Sequence, residues 1–99
     1  MQFKGLKEWE MSLELMLCED YNTKYGFSRA IKVNCSLPYK YTFLNRLEKE
    51  SILIKNSKGY HLNRNMLWKN ICDSHIMQKI IQAIDNSPNK RVLEFDKFV

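Results

Sequence analysis

The chain has 99 residues, of which 16 are basic and 11 acidic, so its formal net charge is +5. This length predicts one domain over residues 1–99, with a core at about 6–64 followed by a C-terminal helix and tail at 65–99. No run of about 18 apolar residues occurs, which predicts that no helix crosses a membrane. Acidic side chains near the start replace the apolar centre of a signal peptide, so we expect an intracellular, cytoplasmic protein.

The positive charge is concentrated in the middle of the sequence. Residues 1–27 carry a net charge of −2, residues 28–69 carry +7, and residues 70–99 are neutral. A basic segment between neutral or acidic ends is typical of a surface that binds a polyanion. An ordinary solvated surface gives the same charge count, so the charge alone leaves both interpretations open.

The cysteines and histidines indicate little chemistry. Cys18, Cys35 and Cys72 are far apart in the sequence, which favours reduced thiols in partly buried positions. A disulfide between two copies of the chain stays an open alternative. Cys72 and His75 have the spacing of metal ligands, but two ligands rarely hold zinc. No catalytic triad, carboxylate pair or phosphate-binding glycine loop stands out, so we predict no metal, no cofactor and no enzymatic activity.

The first predicted helix extends from about Leu6 to Asp20 and is apolar on two sides. One stripe consists of Leu6, Trp9, Leu13, Met16 and Leu17, and the other of Met11, Leu15 and Cys18. Such a helix usually packs against two surfaces, here its own domain and a partner subunit. The alternative is that Met11 and Leu15 only border the solvent.

The region after this helix predicts a short strand, a short helix and a turn. Turn-forming residues at 22–26 end the first helix, and Tyr25 to Phe27 are expected to form a strand. Ser28 is a natural N-cap, so a helix is expected from about Arg29 to Asn34. Cys35 to Leu37 then form the turn into the next helix.

That next helix is predicted from Pro38 to about Glu50. Proline suits the first turn of a helix, and Ser36 or Leu37 precedes it as the cap. The residues predicted to face the core are Leu44 and Leu47, with Phe43 at its edge. The residues predicted on the opposite, polar face are Tyr39, Thr42, Asn45, Arg46 and Lys49.

A small β-hairpin is predicted next. Ile52 to Lys55 form its first strand, with Ile52 and Ile54 on one face, and Tyr60 to Leu62 form its second. The turn between them ends in Gly59, which can take a positive φ in a bulged loop. Basic side chains lie on or beside this hairpin, namely Lys55, Lys58 and Arg64.

One long helix is predicted from Asn65 or Met66 to Ile84, where Asn86 to Pro88 stop it. The tail that follows alternates enough to be a strand, although a loose end fits it as well. Together these elements predict an α+β fold, mainly helical with a small hairpin.

The segment from Leu44 to Ile54, LNRLEKESILI, resembles the end of the recognition helix and the start of the wing in bacterial and archaeal winged helix-turn-helix regulators. The likeness is to the multiple-antibiotic-resistance and phenolic-acid-decarboxylase types, and it extends over Ser28 to Arg64. Ser51 stands where those regulators usually have glycine, and a left-handed turn costs serine up to about 1 kcal/mol more. Pro38 also lies about two positions later than in their commonest spacing.

This resemblance implies a winged helix-turn-helix that binds double-stranded DNA as a transcription regulator. Pro38–Glu50 would be its recognition helix and Ile52–Leu62 its basic wing. A helix fits the major groove when its exposed side is polar and cationic and its other side is anchored. The residues expected to contact DNA are Arg29, Tyr39, Lys40, Thr42, Asn45, Arg46, Lys49, Lys55, Lys58 and Arg64.

Side-chain chemistry suggests a role for several of these residues. Arg46 suits a guanine and Asn45 an adenine, whereas Tyr39 and Thr42 suit a thymine methyl group or a phosphate. The expected phosphate contacts are Arg29, Lys40 and Lys49, and Lys58 at the wing tip is expected at the minor groove or the backbone. For each residue the alternative is a merely solvated side chain.

Two copies of so small a chain would read a two-fold site with recognition helices about 34 Å apart, so we expect a homodimer through the first and last helices. The surplus apolar positions there are Met11, Leu15, Ile76 and Ile81, although they can instead close the monomer core. A winged helix that serves as a protein–protein interaction module or adaptor without DNA binding is the competing function. RNA binding is a further alternative, but the aromatic stacking sheet of common RNA modules is not evident.

Overall fold

The computed structural model describes residues 1–85, which form five α-helices and one two-stranded antiparallel sheet. In chain order the elements are α1 (Leu6–Met16), α2 (Lys24–Ala30), α3 (Leu37–Lys49), β1 (Leu53–Asn56), β2 (Gly59–Leu62), α4 (Arg64–Cys72) and α5 (His75–Asp85). The chain is therefore mainly helical with a small hairpin, which confirms the predicted α+β class. None of these helices is long and apolar enough to cross a membrane. The tail for which a strand or a loose end was predicted lies outside the described residues.

The core receives side chains from α1 to α4, from the hairpin and from the segments between them. Its fully buried members are Met11, Leu15, Phe27, Ile31, Phe43, Leu44, Leu47, Ile52, Leu53, Leu62, Leu67 and Ile71. Trp9 closes the core against α4, where its indole N–H donates to the carbonyl oxygen of Ile71 at 3.3 Å. Helix α5 has no buried residue, and only three of its side chains lie partly buried against this cluster.

Helix α1 is shorter than predicted, and the stripe that contains Met11 and Leu15 is the more deeply buried of its two apolar stripes. It ends at Met16 rather than Asp20, and Met11 and Leu15 are fully buried, whereas Leu17 is 90% exposed. Ser12 lies on the same buried face, where its hydroxyl donates to the carbonyl oxygen of Glu8 at 2.9 Å. The predicted partner-facing role of Met11 and Leu15 is therefore wrong, because both side chains are fully buried and close the monomer core, as the alternative prediction had it.

The segment predicted as a strand and a later helix is a single helix. Thr23 is the N-cap of α2, and its hydroxyl accepts the N–H of Gly26 at 3.3 Å. Gly26 allows a close approach, since a Cβ there would lie 2.6 Å from Cβ of Tyr21. Ser28, predicted as the cap, is instead buried inside α2 and donates to the carbonyl oxygen of Tyr25. The strand over Tyr25–Phe27 and the helix over Arg29–Asn34 are thus both wrong.

Helix α3 begins and ends where the local signals indicate. The hydroxyl of Ser36 accepts the N–H of Tyr39 at 3.2 Å, and Pro38 is the second helical residue. At the other end Ser51 has φ 60°, the N–H of Ile52 donates to the carbonyl oxygen of Leu47, and that of Ser51 donates to the carbonyl oxygen of Glu48. This is a Schellman motif with serine in the position that glycine usually takes.

The hairpin starts one residue later than predicted. Leu53 pairs with Leu62 and Asn56 with Gly59, whose φ is 131°. Ile52 belongs to the turn that follows α3 and not to the strand. Ile52 and Leu53 are both buried, whereas Ile54 is 42% exposed. The prediction that Ile52 and Ile54 share one face is therefore wrong.

The outer edge of β2 is satisfied by the segment that precedes α2. The N–H of Tyr60 donates to the carbonyl oxygen of Tyr21 at 3.1 Å, and the N–H of Leu62 donates to the carboxylate of Asp20 at 3.2 Å. A carboxylate thus takes the place of a carbonyl group in what would be a third strand, which protects the edge from pairing with another chain.

The long helix predicted after the hairpin is two helices. Asp73 is the C-cap of α4. The hydroxyl of the next residue, Ser74, accepts the N–H of Met77 at 3.2 Å and caps the start of α5. A serine whose side chain bonds the backbone three residues later favours a new helix start over continuation. As a result α5 is a separate helix, and the core of the domain covers only part of its apolar side.

Replacing Ser51 by glycine should stabilise the protein. The expected gain in the free energy of unfolding is about 0.5–1 kcal/mol, because glycine adopts a φ of 60° without the clash of a Cβ. Chemical denaturation of Ser51→Gly measures it, and Ser57→Gly is the matched control because Ser57 is not at a positive φ. A Ser51→Gly variant that is no more stable than the Ser57→Gly variant would refute this explanation.

Candidate nucleic-acid interface

One side of α3 is exposed along its whole length. Pro38, Thr42, Asn45 and Lys49 recur at helical spacing, and all four are exposed. The opposite side is anchored by Phe43, Leu44 and Leu47, which are fully buried. We call Thr42, Asn45 and Lys49 the α3 ridge. The arrangement satisfies the steric requirement for a helix that enters a groove, with a polar face outward and an apolar face held.

Exposed lysines continue from this ridge onto the hairpin. Lys49 ends α3, and Lys55 and Lys58 lie on β1 and on the turn of the hairpin, all of them exposed. Among residues 1–85 none of these three ammonium groups has an ion-pair partner. These three ammonium groups are therefore available to meet a polyanion.

Arg46 is not part of the ridge. Its Nη1 lies 2.6 Å from both carboxylate oxygens of Glu8, and its Nη2 donates to the carbonyl oxygen of Gln2 at 2.7 Å. Glu8 is only 3% exposed, and its Oε1 also accepts the N–H of Lys4. A buried carboxylate requires a counter-charge, so Arg46 is directed to α1 and is not placed to read a base.

Arg64 is likewise an anchor. It donates to the carboxylate of Asp20 at 2.9 Å and to the carbonyl oxygen of Cys18 at 2.6 Å, and Nδ1 of His61 lies 2.8 Å from the other oxygen of Asp20. Burial alone would raise the pKa of Asp20, but the hydrogen bonds from His61, Arg64 and Leu62 outweigh it and lower that pKa. Burial raises the pKa of the Cys18 thiol despite the nearby Arg64. This cluster holds the hairpin to the segment between α1 and α2.

Arg29 and Lys40 border an open groove between α2 and α3. The ammonium of Lys40 donates to the carbonyl oxygen of Ile31 at 2.9 Å, and that of Lys32 donates to the carbonyl oxygen of Arg29 at 2.8 Å. Both lysines therefore cover the C-terminal end of α2. The groove, of about 360 Å³, is lined by Tyr25, Ser28, Arg29, Ile31, Lys32, Leu37 and Lys40. Lys32 was not among the predicted contacts, although its position beside Arg29 in the basic segment was visible in the sequence.

Tyr39 lies on the flank of α3 that also carries Arg46, one residue away from the ridge position of Pro38. It is partly exposed at 38% and belongs to the first turn of the helix. The structure thus brings Thr42, Asn45 and Lys49 together on one face and leaves Tyr39 at its margin.

Lys24, for which no role was predicted, connects α2 with α3 and β2. Its ammonium lies 2.7 Å from Oδ1 of Asn45, 2.6 Å from a carboxylate oxygen of Glu48 and 5.9 Å from the ring centre of Tyr60. The spacing of Asn45 and Glu48, three residues apart on a helix, places both on one side. That spacing was the available signal, but the cation that faces it comes from 21 residues earlier.

Glu14 fixes the turn between α2 and α3. Its two carboxylate oxygens accept the backbone N–H groups of Lys32 at 2.8 Å and of Val33 at 2.9 Å. The acidic first part of the chain therefore supplies one carboxylate to each part of the basic segment, with Glu8 at α3, Glu14 at the turn and Asp20 at the hairpin.

The two residues that have the spacing of metal ligands lie at a helix break. Cys72 ends α4 and His75 begins α5. Within residues 1–85 no group of three or more histidine, cysteine or acidic side chains is close enough to hold a metal ion.

Comparisons with models of protein families, with curated proteins and with solved structures gave no match.

Removing the guanidinium of Arg46 should destabilise the fold. Arg46→Met leaves the buried carboxylate of Glu8 unpaired, and the free energy of unfolding should fall by about 3 kcal/mol. Urea denaturation measures it. Lys49→Met is the matched control on the same helix, and because its side chain is exposed and unpaired the change should stay within about 0.5 kcal/mol.

The double variant Glu8→Leu with Arg46→Met separates the charge from the contact. It removes both partners, so part of the lost stability should return. A single Arg46 variant that is no less stable than the Lys49 variant would show that this ion pair does not fix α3.

Proposed function

We propose that the protein binds double-stranded DNA as a winged helix-turn-helix transcription regulator, with α3 as the recognition helix and the β1–β2 hairpin as the wing. The order α1, α2, α3 and hairpin is the order that this fold requires. The observation that carries the proposal is the exposed α3 ridge, anchored on its buried side, together with Lys55 and Lys58 on the hairpin, which are exposed and have no ion-pair partner among residues 1–85.

The proposed contacts divide into those that position the helix and those that read sequence. Lys49, Lys55 and Lys58 suit phosphates or, at the wing tip, the minor groove, because an ammonium is a point charge without a preferred base. Thr42 and Asn45 are the ridge residues with hydrogen-bonding groups suited to base edges. The expected phosphate contacts at the α2–α3 groove are Arg29, Lys32 and Lys40, with Tyr39 at the margin.

Arg46 and Arg64 leave the set of direct contacts in this proposal. Each already has a carboxylate partner in the fold. An arginine that exchanged Glu8 for a phosphate would leave a buried charge without a partner, so its role is to position α3. Arg64 does the same for the wing through Asp20.

A homodimer remains part of the proposal, with α5 as its contact. Ile81 is 50% exposed and Ile84 39%, and both continue the apolar side of α5 beyond the core. Two α5 helices that pair antiparallel about Ile80 place the isoleucine at 84 opposite that at 76 of the second copy. The same register sets the imidazole of His75 beside the carboxylate of Asp85, which accepts hydrogen bonds, whereas a parallel pair would set two Asp85 carboxylates against each other. This difference favours the antiparallel, isologous contact.

The competing function is a winged helix that binds a protein instead of DNA. Leu17 and Trp68 are exposed large apolar residues at 90% and 48%, and side chains of this kind also occur at protein contacts. A module of this kind would have no appreciable affinity for duplexes at low salt.

DNA binding should weaken steeply with salt. Selection of the full chain on a pool of random duplexes should yield a sequence bound with nanomolar affinity. In titrations at several salt concentrations the logarithm of the association constant should fall linearly with the logarithm of the salt concentration. The variant Lys55→Met with Lys58→Met should reduce the magnitude of that slope by about 2, because two phosphate contacts are lost.

The control for this experiment is Lys7→Met on α1, an exposed lysine outside the proposed surface, which should leave the slope unchanged. Affinity that stays flat between low and moderate salt, or no binding at low salt, would refute the proposed function.

Dimer formation should depend on the exposed end of α5. Light scattering should give the mass of two chains for the natural protein and of one chain for Ile81→Glu with Ile84→Glu, because these charges would face an apolar surface. Gln82→Glu, on the polar side of the same helix, is the control and should remain dimeric. A natural protein with the mass of one chain would refute the proposed dimer.

A further inference from the structure

The side-chain amide of Asn45 is already bound to the protein on one side. Its Oδ1 accepts a hydrogen bond from the ammonium of Lys24 at 2.7 Å, although Asn45 itself is exposed on the α3 ridge. Because an ammonium only donates, this contact fixes which end of the amide is oxygen and which is nitrogen.

Lys24 is held firmly enough to keep that orientation. Besides Asn45 it binds a carboxylate oxygen of Glu48 at 2.6 Å, and the ring centre of Tyr60 lies 5.9 Å from its nitrogen. Only 21% of its side chain is exposed. The neighbouring carboxylate keeps the ammonium in place, since leaving would break an ion pair as well as a hydrogen bond.

The consequence for Asn45 follows from its donor and acceptor count. A bidentate contact with adenine requires the amide oxygen to accept from N6 and the amide nitrogen to donate to N7. Lys24 occupies one lone pair of Oδ1, and with the oxygen turned toward α2 the Nδ2 group, which only donates, is left to face the groove. Guanine offers this donor two acceptors in the major groove, N7 and O6. Adenine and thymine offer one each, cytosine offers none, and the amino group beside N7 of adenine is a second donor that disfavours the contact.

We propose that Asn45, oriented by Lys24, selects guanine and not the adenine that an unconstrained asparagine prefers. This inference rests on the proposed function and names the base that one position of that surface reads. Lys24 is a positioning residue, since it acts on the base through Asn45 and is itself held by Glu48. The sequence-based assignment of Asn45 to adenine is thereby replaced.

Selection from random duplexes with the full-length chain tests this. The natural protein should enrich guanine about tenfold over adenine at one position, and Asn45→Ala should lose the preference there. Lys24→Met frees the amide oxygen, so the preference at that same position should change to adenine. Lys24→Arg, which still donates, should keep guanine.

Two variants separate orientation from charge. Lys55→Met removes one positive charge without touching Asn45 and should weaken binding to all sequences while keeping guanine. Glu48→Gln removes the carboxylate that holds the Lys24 ammonium but leaves the donor itself, so it should keep guanine with a smaller preference over adenine. Adenine in the natural protein, or guanine retained in Lys24→Met, would overturn the inference while leaving DNA binding intact.

A measurement without DNA keeps the inference testable on the protein alone. In the ¹⁵N-labelled chain the side-chain amide signal of Asn45 should shift in Lys24→Met and stay close to its position in Lys55→Met. An unchanged signal in both variants would overturn the inference, and absence of any duplex binding would overturn it together with the proposed function.

Discussion

The buried carboxylate of Glu8 is the constraint on which the position of α3 depends. At 3% exposure it must be neutralised, and the guanidinium of Arg46 does so from the middle of α3 at 2.6 Å. Because Phe43, Leu44 and Leu47 already seat one side of α3 in the core, this ion pair fixes its rotation about its own axis. The remaining outward direction is the α3 ridge, so the core and the ion pair together decide which side chains are exposed.

Charges that are separated along the sequence meet in the fold. The acidic first 27 residues do not form a surface of their own, because Glu8, Glu14 and Asp20 are each bound to a different part of the basic segment. Each carboxylate removes one cation or one pair of N–H groups from solvent. What is left positive is smaller than the net charge of residues 28–69 implies, and it is concentrated on lysines.

Local signals made the middle of the chain predictable, whereas contacts between distant residues did not. The cap at Ser36 and the strained residue at Ser51 are read from neighbours in sequence, so α3 and the hairpin were placed to within about one residue. Helix α2 was not predicted, because the glycine at position 26 is explained only by the close approach of Tyr21. The break before α5 was not predicted either, because in the sequence its N-cap Ser74 cannot be told from a polar residue inside a helix. For the candidate site the residue types were predictable, but the partner of Arg46 lies 38 residues away.

The division of cations into anchored and free ones determines how a surface of this kind would discriminate. Arginine recognises guanine through two parallel donors, and here Arg46 and Arg64 use their donors inside the protein. On the α3 ridge and the hairpin, the cations without an ion-pair partner among residues 1–85 are Lys49, Lys55 and Lys58, whose point charges attract any phosphate backbone equally. Sequence selectivity on the proposed function then falls to Thr42 and Asn45, and the hydroxyl of Thr42 already donates to the carbonyl oxygen of Pro38. On the α3 ridge Asn45 is then the proposed reader of a base, and its hydrogen bond from Lys24 is the contact that would decide which base it prefers.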